Sequence, residues 1–481
     1  MGYIGLREFI TTLEENDELI RVQTEVDSEL EITEITDRVV KANGPALIFE
    51  NIKGSDFPVL INAFGSYRRM ELALQVNSLA EIADRINAFL EIATPENIID
   101  KLRVIPLIKE ISRFFPHTVK KAPCQEIIRD GVNLNIFPIL KCWPGDGGKF
   151  ITLPLVFTRD LDSNKQNVGM YRMQVYDKET TGMHWHIHKD GAYNYRKYLN
   201  AGKRMEVAVA IGADPASIYA ATAPLPAGLD EMVFAGFLRR APVPMVQCKT
   251  IDLKVPADAE IILEGYLEPG ELREEGPFGD HTGYYSTSDD YPVFHIQKVT
   301  HRDNPIYNTT IVGKPPMEDC FLAKATERIF LPLLKLQLPE ILDLNLPLEG
   351  VFHNCAILSI EKSYPGQAKK VMHAIWGMGQ MMFTKMIVVV DGNVDVHDLS
   401  TVAWKVFNNI DARRDVVIVD GPLDVLDHSS PLPSLGSKIG IDATRTWPEE
   451  GHFREWPAEI EMVSVIKELV DRRWSEYGIN Y

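Results

Sequence analysis

Residues 167–176 read NVGMYRMQVY, and the fold of this 481-residue chain is best predicted from this segment outward. In a β-strand successive side chains point to opposite faces, so Asn167, Gly169 and Tyr171 would share one face. Further strand-like segments, separated by Gly, Pro and Asp turns, are residues 151–157, 207–211, 261–267 and 293–299. Helical patterns are sparse between residues 119 and 315, and several of the strands look buried on both faces. The sequence therefore predicts a closed or half-closed β-barrel here.

Helix and strand patterns alternate on both sides of this β-rich region. Residues 1–118 begin with a predicted helix, in which Leu6, Phe9, Ile10 and Leu13 have helical spacing, and contain short strand-like segments at 46–49 and 59–61. Residues 316–481 alternate helix and strand, with strands predicted at 355–360, 386–390 and 416–419. They end in an amphipathic helix that carries Ile460, Val463, Ile466, Val470 and Trp474. The prediction is an α/β multidomain (α+β) protein with domains at 1–118, 119–315 and 316–481. The terminal helix is suited both to contact with a neighbouring subunit and to packing on its own chain.

Composition and charge narrow the class of function. The chain has 50 Lys and Arg against 68 Asp and Glu, a net charge of -18, which opposes a general nucleic-acid-binding surface. Hydrophobic residues make up 45% and charged residues 25%, as in an ordinary globular enzyme. The five cysteines are scattered without a C-x-x-C pair, and apolar runs end after about five residues. A cytoplasmic protein without a targeting signal, a disulfide framework or an integral membrane segment is expected.

The densest group of polar side chains lies in the segment Gly182-Met-His-Trp-His-Ile-His-Lys-Asp-Gly191. In a strand, His184, His186 and His188 would point to one face. Three imidazoles at this spacing can bind one divalent cation, and catalytic zinc is the first candidate. The alternative is a solvated or hydrogen-bonded histidine face without a metal.

Arg172 stands among Met and Tyr side chains, where a guanidinium is costly unless an anion pairs with it. A carboxylate of the protein and a phosphate of a ligand are both suitable partners, and a structural salt bridge is as good an explanation as a site. The turn Glu274-Glu-Gly-Pro-Phe-Gly-Asp-His281 supplies three carboxylates and a histidine within eight residues. Two carboxylates that face one arginine can have their pKa values pushed apart, which leaves one ionised partner and one general acid. The alternative for this turn is a solvated loop.

Glu231 and Lys385 are isolated charged residues, and the common motifs of nucleotide-binding proteins and serine hydrolases are absent from the sequence. Glu231 begins a predicted helix and Lys385 precedes a predicted strand, and each alone is an ordinary helix-start charge or surface lysine. The chain has no G-x-G-x-x-G after a strand, no G-x-x-x-x-G-K-[ST] and no G-x-S-x-G. The usual signals of nucleotide-binding folds and serine hydrolases are therefore missing.

Five motifs, taken in order, resemble the UbiD family of prenylated-FMN-dependent decarboxylases. They are Asn167-x-Gly-Met-Tyr-Arg172, His184-Trp-x-x-His188, Asp230-Glu-x-x-x-Ala-Gly236, Glu275-Gly-Pro-Phe-Gly-Asp-His-Thr-Gly-Tyr-Tyr285 and Gly436-Ser-Lys-x-Gly-x-Asp-Ala-Thr444. The segments Leu30-Glu-Ile-Thr-Glu-Ile35 and Gly44-Pro-Ala-Leu-Ile-Phe-Glu50 resemble the N-terminal domain of the family. The resemblance implies an N-terminal α/β domain, a central split β-barrel of flavin-reductase type that holds the cofactor, and a C-terminal α/β domain that moves to close the site.

The resemblance also implies ligands. Mn²⁺ or Mg²⁺ would bridge the phosphate of prenylated FMN to Asn167, His188 and Glu231, in place of a three-histidine zinc site, with K⁺ as a further candidate ion. The positions that match cofactor contacts are Met170, Tyr171, Arg172, His184, Trp185, His186, Lys189, Asp190 and Lys385. Some relatives carry Gly at the position of Asp190, so contact of this carboxylate with a phosphate would need the metal or Lys189 to offset its charge.

In catalysis the resemblance implies a network of Arg172 with Glu275 and Asp280, in which Asp280 donates the proton after carbon dioxide leaves. The implied activity is reversible, non-oxidative decarboxylation of a hydroxybenzoate or hydroxynaphthoate in ubiquinone or menaquinone biosynthesis, with a flavin prenyltransferase as the supplier of the cofactor. A catabolic aryl acid decarboxylase or carboxylase is one alternative, and a zinc hydrolase using His184, His186 and His188 is a more distant one. A homo-oligomer, from dimer to hexamer, is expected. The sequence chooses neither the acid, the direction, the oligomer number nor Mn²⁺ over Mg²⁺.

Overall fold

The computed structural model describes residues 2–92, 111–186, 189–225 and 228–479, with side chains up to residue 90 in the first range. Its helices are α1 (Leu6–Glu15), α2 (Glu31–Lys41), α3 (Tyr67–Leu74), α4 (Ala80–Ile92), α5 (Asp190–Ala201), α6 (Pro215–Ala220), α7 (Glu231–Arg239), α8 (Glu318–Gln337), α9 (Gln367–Trp376), α10 (Leu399–Asn409) and α11 (Ser464–Arg473). Its strands are β1 (Leu19–Val22), β2 (Ala46–Phe49), β3 (Val59–Ile61), β4 (His117–Val119), β5 (Ile127–Ile128), β6 (Phe150–Ile151), β7 (Leu155–Arg159), β8 (Gln166–Met170), β9 (Met173–Gln174), β10 (Thr180–Gly182), β11 (Met205–Ile211), β12 (Pro244–Gln247), β13 (Lys254–Pro256), β14 (Ile261–Glu275), β15 (Asp289–His301), β16 (Tyr307–Asn308), β17 (Ile341–Asn345), β18 (Cys355–Ile360), β19 (Met386–Asp391), β20 (Val416–Pro422) and β21 (Leu435–Asp442). Within these ranges no helix is both long and apolar enough to cross a membrane.

The N-terminal sheet has the strand order β1-β2-β3-β16, so its last strand comes from the far end of the central region. Helix α1 forms where the sequence predicts it, and its apolar side chains Leu6, Phe9, Ile10 and Leu13 are buried. Strands β2 and β3 have the predicted bounds. One buried core runs from α1 to β7, so the N-terminal and central regions pack against each other extensively. The division at residues 118 and 119 stays a prediction.

The central sheet is antiparallel, with the order β10-β15-β14-β11-β7-β8 and with β5 paired to β15. Its strands are buried on both faces, since Ala208 and Ala210 of β11 pack into one core while Val207 and Val209 pack into the other. Register shifts between β14 and β15 are bulges that bend the sheet. The curled half-barrel that results confirms the predicted fold class.

The strand predicted over residues 167–176 is wrong at its centre. Strand β8 pairs with β7, whereas β9 pairs with β6 in a separate two-stranded sheet. Tyr171 and Arg172 lie between β8 and β9. The strand predicted through the three histidines is also wrong over its described part, because β10 ends at Gly182 and residues 183–186 have no regular structure. Both interruptions fall at residues of the predicted site.

The C-terminal domain has a five-stranded sheet in the order β17-β18-β19-β21-β20, in which β18, β19 and β21 are parallel. The predicted alternation of strand and helix is confirmed, with α9 packed against one face of the sheet and α10 against the other. Strands β17 and β21 were not predicted, because Asp343, Ser437 and Lys438 interrupt the apolar pattern of a buried strand. Helix α11 is shorter than the predicted terminal helix, and its side chains are almost all exposed instead of packed on this chain.

Gly236 lets helix α7 approach the backbone of the segment before β4 closely. A Cβ at Gly236 would lie 2.1 Å from the carbonyl oxygen of Phe114, so the backbone would have to move. Gly236→Ala is therefore expected to destabilise the protein by about 1–3 kcal/mol and to displace Glu231, the first residue of α7. Urea unfolding measures the loss, with Gly131→Ala as the control, since a Cβ there has no neighbour within 4 Å. Equal unfolding midpoints for the two variants would contradict the close packing.

Candidate active site

Arg172 is buried between two carboxylates. Its Nε donates to Glu275 Oε1 at 3.0 Å, its Nη2 lies 2.9 Å from the same oxygen, and its Nη1 donates to Asp280 Oδ2. The side chains of Arg172, Glu275 and Asp280 are only 10%, 1% and 8% exposed. Nη2 also donates to Ser286 Oγ at 3.2 Å, and the guanidinium carbon lies 4.5 Å from the centre of the Phe278 ring. The three residues that the sequence predicts to act together are in contact.

The interrupted strand and the turn after β14 bring these side chains together. Glu275 ends β14 and Asp280 lies in the turn that follows, so one arginine in the gap between β8 and β9 reaches both. Gly279 allows the turn to pass close to Trp143, because a Cβ there would lie 2.2 Å from the indole ring. The geometry of the site therefore depends on a glycine beside the acid.

Asp280 is held in its ionised form by its neighbours. Burial raises the pKa of this carboxyl, but His281 and Arg172 outweigh burial, so the pKa of Asp280 lies well below its ordinary value. His281 Nδ1 lies 2.7 Å from Asp280 Oδ1. Burial lowers the pKa of His281, but the Asp280 carboxylate outweighs burial and the pKa of His281 is raised. Asp280 can take up a proton only when these cationic neighbours change.

Two of the three predicted histidines lie together. His184 Nδ1 is 2.8 Å from Glu275 Oε1, and His184 Nε2 is 2.6 Å from His186 Nε2. Burial lowers the pKa of both rings, that of His186 to about 3, so both are neutral at neutral pH. His188, which belongs to both predicted metal sites, lies outside the described residues. In the part of the chain that is described, no three His, Cys, Asp or Glu side chains converge on a metal position.

Asn167 on β8 and Glu231 at the start of α7 form a second polar pair. Asn167 Nδ2 donates to Glu231 Oε1 at 2.7 Å, and the backbone N of Val168 donates to the other oxygen at 3.3 Å. Burial raises the pKa of Glu231 to about 7. Asn167 Oδ1 is buried and has no hydrogen-bond partner among the described residues. A buried carboxylate beside an unpartnered amide oxygen fits a hard divalent cation.

Several predicted cofactor contacts follow strand β8 and precede α5. The rings of Tyr171 and Trp185 are 6.1 Å apart, and Trp185 Nε1 is a buried donor without a partner in the described ranges. Tyr171 Oη accepts from the backbone N of Gly191 at 3.4 Å. Burial lowers the pKa of Lys189, whereas Asp190 is exposed as the first residue of α5. Lys189 is half-buried, and its Nζ donates to Gln380 Oε1 at 3.4 Å. An unpartnered indole N–H and this amine fit the phosphate of the implied cofactor.

Met170 and Lys385 differ from these residues. Met170 ends β8 and packs beside the core that the N-terminal and central regions share. Lys385 Nζ lies 2.8 Å from Asp427 Oδ2 and donates to Ser429 Oγ. In the contacts of the described residues, Lys385 touches none of the other predicted site residues, so the structure does not bring it into this cluster.

Ser286 and His353 contact the network, and neither was predicted as a site residue from the sequence. Ser286 Oγ accepts from Arg172 and also from the backbone N of Phe278 at 3.2 Å. His353 Nε2 lies 2.8 Å from His281 Nε2 across the boundary between the central and C-terminal domains. No local pattern marks either residue, because a serine after a turn and a single histidine are common on protein surfaces.

Models of the 3-octaprenyl-4-hydroxybenzoate carboxy-lyase (UbiD) family match three successive segments of the chain. The N-terminal domain model matches residues 10–86, the Rift-related domain model residues 117–315 and the C-terminal domain model residues 320–443. An uncharacterized protein of Archaeoglobus fulgidus is 56% identical over 99% of both chains. The similarity therefore extends over all three regions of the fold.

Two solved enzymes have similar structures over nearly their whole length. Vanillic acid decarboxylase of Sedimentibacter hydroxybenzoicus in its closed form is 30% identical over 100% of both chains, with a TM-score of 0.86. Its open form aligns with a TM-score of 0.80, so the domain arrangement of this chain is more similar to the closed form. The UbiD-class enzyme HmfF of Pelotomaculum thermopropionicum, in complex with FMN, is 30% identical over 96% of this chain and 99% of that chain, with a TM-score of 0.79. An evolved dimeric form of HmfF is in complex with prFMN, the prenylated flavin.

Proposed function

Because this chain belongs to the UbiD family of carboxy-lyases, we propose that it catalyses the reversible, non-oxidative decarboxylation of a hydroxybenzoate or hydroxynaphthoate with prenylated FMN and Mn²⁺ or Mg²⁺. The observation that carries the proposal is the buried Arg172 between Glu275 and Asp280. A guanidinium with two carboxylates that are almost fully withdrawn from solvent is suited to handling one proton per reaction cycle.

Each member of the network has a distinct task in this proposal. Loss of carbon dioxide from an sp² carbon leaves an electron pair, for which prenylated FMN, when bound, supplies the acceptor. Arg172 balances the charges of Glu275 and Asp280, and the Phe278 ring below the guanidinium excludes water from that side. Asp280 donates the proton to the carbon that has lost carbon dioxide, and Glu275 keeps the guanidinium in place while Asp280 changes its charge.

Asn167, Glu231 and His188 would hold the metal, and Trp185 and Lys189 would donate to the phosphate. The proposal uses two unpartnered atoms, Asn167 Oδ1 and Trp185 Nε1, for which the described part of the chain offers no protein partner. Mn²⁺ and Mg²⁺ prefer oxygen ligands, which agrees better with the Asn167 and Glu231 pair than zinc does.

Glu231→Ala is expected to lose bound Mn²⁺ and to lower flavin retention during gel filtration by at least about tenfold, the effect of removing even an outer-shell metal partner. The reason is that Glu231 supplies the only carboxylate of the proposed metal set. Metal analysis and flavin absorbance measure the two losses, and Glu274→Ala, which removes an exposed carboxylate, is the control. Undiminished metal and flavin in the Glu231 variant would remove this residue from the metal site.

The test of the whole proposal is native mass spectrometry with an absorbance spectrum of the protein, produced with and without a flavin prenyltransferase. Prenylated FMN and Mn²⁺ or Mg²⁺ that appear only after coexpression, followed by release of carbon dioxide from an aromatic acid, would support it. Zinc without flavin would overturn it in favour of a hydrolase using the three histidines. The same mass spectra count the subunits of the oligomer. Replacement of K⁺ by Na⁺ in the activity assay tests whether the enzyme needs K⁺.

A panel of aromatic acids distinguishes two physiological roles. A preference for a dihydroxynaphthoate or a polyprenylated hydroxybenzoate would support quinone biosynthesis, which the segments Met173-Gln174 and Pro315-Pro-Met-Glu-Asp-Cys320 favour by their resemblance to such members of the family. A preference for vanillate or 3,4-dihydroxybenzoate would support a catabolic role, which the similarity to vanillic acid decarboxylase favours. Incubation of the products with bicarbonate measures the reverse direction.

We expect the enzyme to be a homo-oligomer. In the single chain, apolar side chains of α11 such as Val465 and Leu469 are 71% and 38% exposed. An exposed amphipathic helix of this kind can bury its apolar face against a second copy of the chain.

A further inference from the structure

A chain of hydrogen bonds leads from Asp280 into the C-terminal domain. Asp280 Oδ1 accepts from the backbone N of His281 and lies 2.7 Å from Nδ1 of the same residue. At the other side of this ring, His281 Nε2 lies 2.8 Å from Nε2 of His353, which belongs to the segment between β17 and β18. The catalytic turn and the C-terminal domain therefore meet at two imidazoles.

The bonding determines which nitrogen carries a proton. An ionised Asp280 only accepts, so His281 Nδ1 donates to it. When His281 is neutral, its Nε2 is therefore an acceptor, and His353 Nε2 has to donate. This leaves His353 Nδ1 as an acceptor, and that atom is buried without a hydrogen-bond partner among the described residues. Both rings then point their protons toward Asp280.

The backbone before His353 has an unusual conformation. Val351 and Phe352 have φ values of 43° and 53°, in the left-handed region that bulky side chains rarely adopt. Such conformations are strained and persist where the surroundings require them. Here they place Phe352 against the face of the His281 ring, with ring centres 5.1 Å apart, and His353 against its edge. The strain therefore serves the contact with His281.

We propose that His353 and His281 relay a proton to Asp280, and that docking of the C-terminal domain completes the relay. This inference rests on the proposed function, in which each turnover converts a carboxylate and a proton into carbon dioxide and a C–H bond. Asp280 must then regain one proton in every cycle. Because Asp280 is almost fully buried, this proton needs a path from solvent.

The proton balance of the relay is simple. While the C-terminal domain is away, a solvent proton binds His353 Nδ1; once the domain has docked, the Nε2 proton of His353 moves to His281 Nε2, and the Nδ1 proton of His281 moves to Asp280 Oδ1. One solvent proton is consumed, and both rings end as the opposite neutral tautomer. They are reset through solvent when the C-terminal domain moves away. His281 and His353 do not touch the substrate in this proposal. They act through Asp280, so we call them positioning residues.

The charges that face the two rings agree with this path. Burial lowers the pKa of His281, but Asp280 outweighs it, and Asp319 at the first turn of α8 and Asp424 after β20 act in the same direction as Asp280. Burial lowers the pKa of His353 to about 4, His281 and then Lys189 act in the same direction, and Asp424 and Asp280 oppose them. His353 therefore passes a proton on without retaining it. His281, whose pKa is raised, accepts that proton and is the group that delivers a proton to Asp280.

The kinetic test uses the full-length enzyme with its cofactor and two variants of His353. His353→Phe keeps a ring without nitrogen, whereas His353→Gln keeps a donor near the Nε2 position but cannot pass a proton on. The relay predicts that kcat falls about tenfold or more in both variants above about pH 8, with KM unchanged. The loss shrinks as the pH falls, because any slower route by which a proton reaches Asp280 without His353 becomes faster as the proton concentration rises. Recovery of kcat in His353→Gln, or an unchanged pH profile in His353→Phe, would overturn the relay.

The control is His428→Gln, which removes another imidazole of the domain boundary. The His428 ring lies 4.0 Å from the Tyr284 ring and has no bond to Asp280 or His281 among the described residues. This variant is expected to keep the wild-type pH profile. A loss as large as that of His353→Phe would show that domain docking alone, without proton transfer, explains both effects.

A second measurement needs no turnover. Nuclear magnetic resonance of protein labelled with carbon-13 histidine follows the titration of His281, whose signal is assigned by its loss in His281→Gln. His353→Phe should shift the His281 titration to lower pH, because the acceptor for the Nε2 proton of the imidazolium is gone. An unmoved titration would overturn the relay even if no substrate were known. A shifted titration in an enzyme that decarboxylates nothing would count against the proposed function alone.

Discussion

Asp280→Asn is expected to lower the rate of decarboxylation by about 10²–10⁴-fold while flavin and metal occupancy stay unchanged. An amide of the same size occupies the same position beside Arg172 and His281, but it cannot deliver a proton at neutral pH. Water does not replace it easily, because the Asp280 side chain is only 8% exposed. Release of carbon dioxide at saturating acid, together with the flavin spectrum, measures both parts of the prediction.

The control for this prediction is Asp290→Asn. Asp290 is an exposed carboxylate on β15, close in sequence to the catalytic turn, and its loss should leave the rate unchanged. An Asp280→Asn enzyme that keeps more than about a tenth of the wild-type rate would assign the proton to another donor. Loss of flavin from the same variant would instead give Asp280 a part in cofactor binding.

The fold was predictable wherever one local pattern determines it. Helix α1 buries the four apolar residues whose spacing predicts it, and β2 and β18 have the predicted bounds. The hairpin of β14 and β15 extends further than predicted, to Glu275 and from Asp289, because cross-strand hydrogen bonds continue past its apolar part. Its polar end leads into the turn that carries Asp280. Local sequence describes the buried half of such a strand better than the half that reaches the site.

The chemistry of the site was predictable by residue type but not by contact. Arg172 required an anion, and the sequence left a carboxylate and a phosphate open, whereas the structure pairs it with Glu275 and Asp280. Glu231 is an ordinary helix-start charge in the sequence, and only the fold shows that it is buried against Asn167. His353 is separated from His281 by 72 positions, so no spacing rule joins them. Contacts of this kind arise from packing between domains.

Arg172→Met is expected to destabilise the folded protein by about 3–5 kcal/mol at neutral pH, besides abolishing decarboxylation. Methionine fills a similar length but leaves Glu275 and Asp280 buried without their guanidinium, with His184 beside Glu275 and His281 beside Asp280. Urea unfolding of the flavin-free protein measures the loss. The matched control is Arg38→Met, because Arg38 and its partner Glu34 are 77% and 58% exposed. Removal of such an exposed pair should cost less than about 1 kcal/mol.

The instability of Arg172→Met should depend on pH. The direction of this dependence shows whether unpaired charge or lost packing destabilises the variant. Without the guanidinium, the folded-state pKa of Asp280 rises from its depressed value, because burial still raises it while one of the two neighbours that lower it is gone. The folded variant then binds a proton more readily than the folded wild type, so its deficit in stability relative to the wild type should shrink as the pH falls from about 7 to about 5. Adding Glu275→Gln and Asp280→Asn should recover part of the loss at neutral pH by the same reasoning. A deficit that is equal at both pH values and persists in the triple variant would mean that lost packing against Phe278, and not unpaired charge, destabilises the protein.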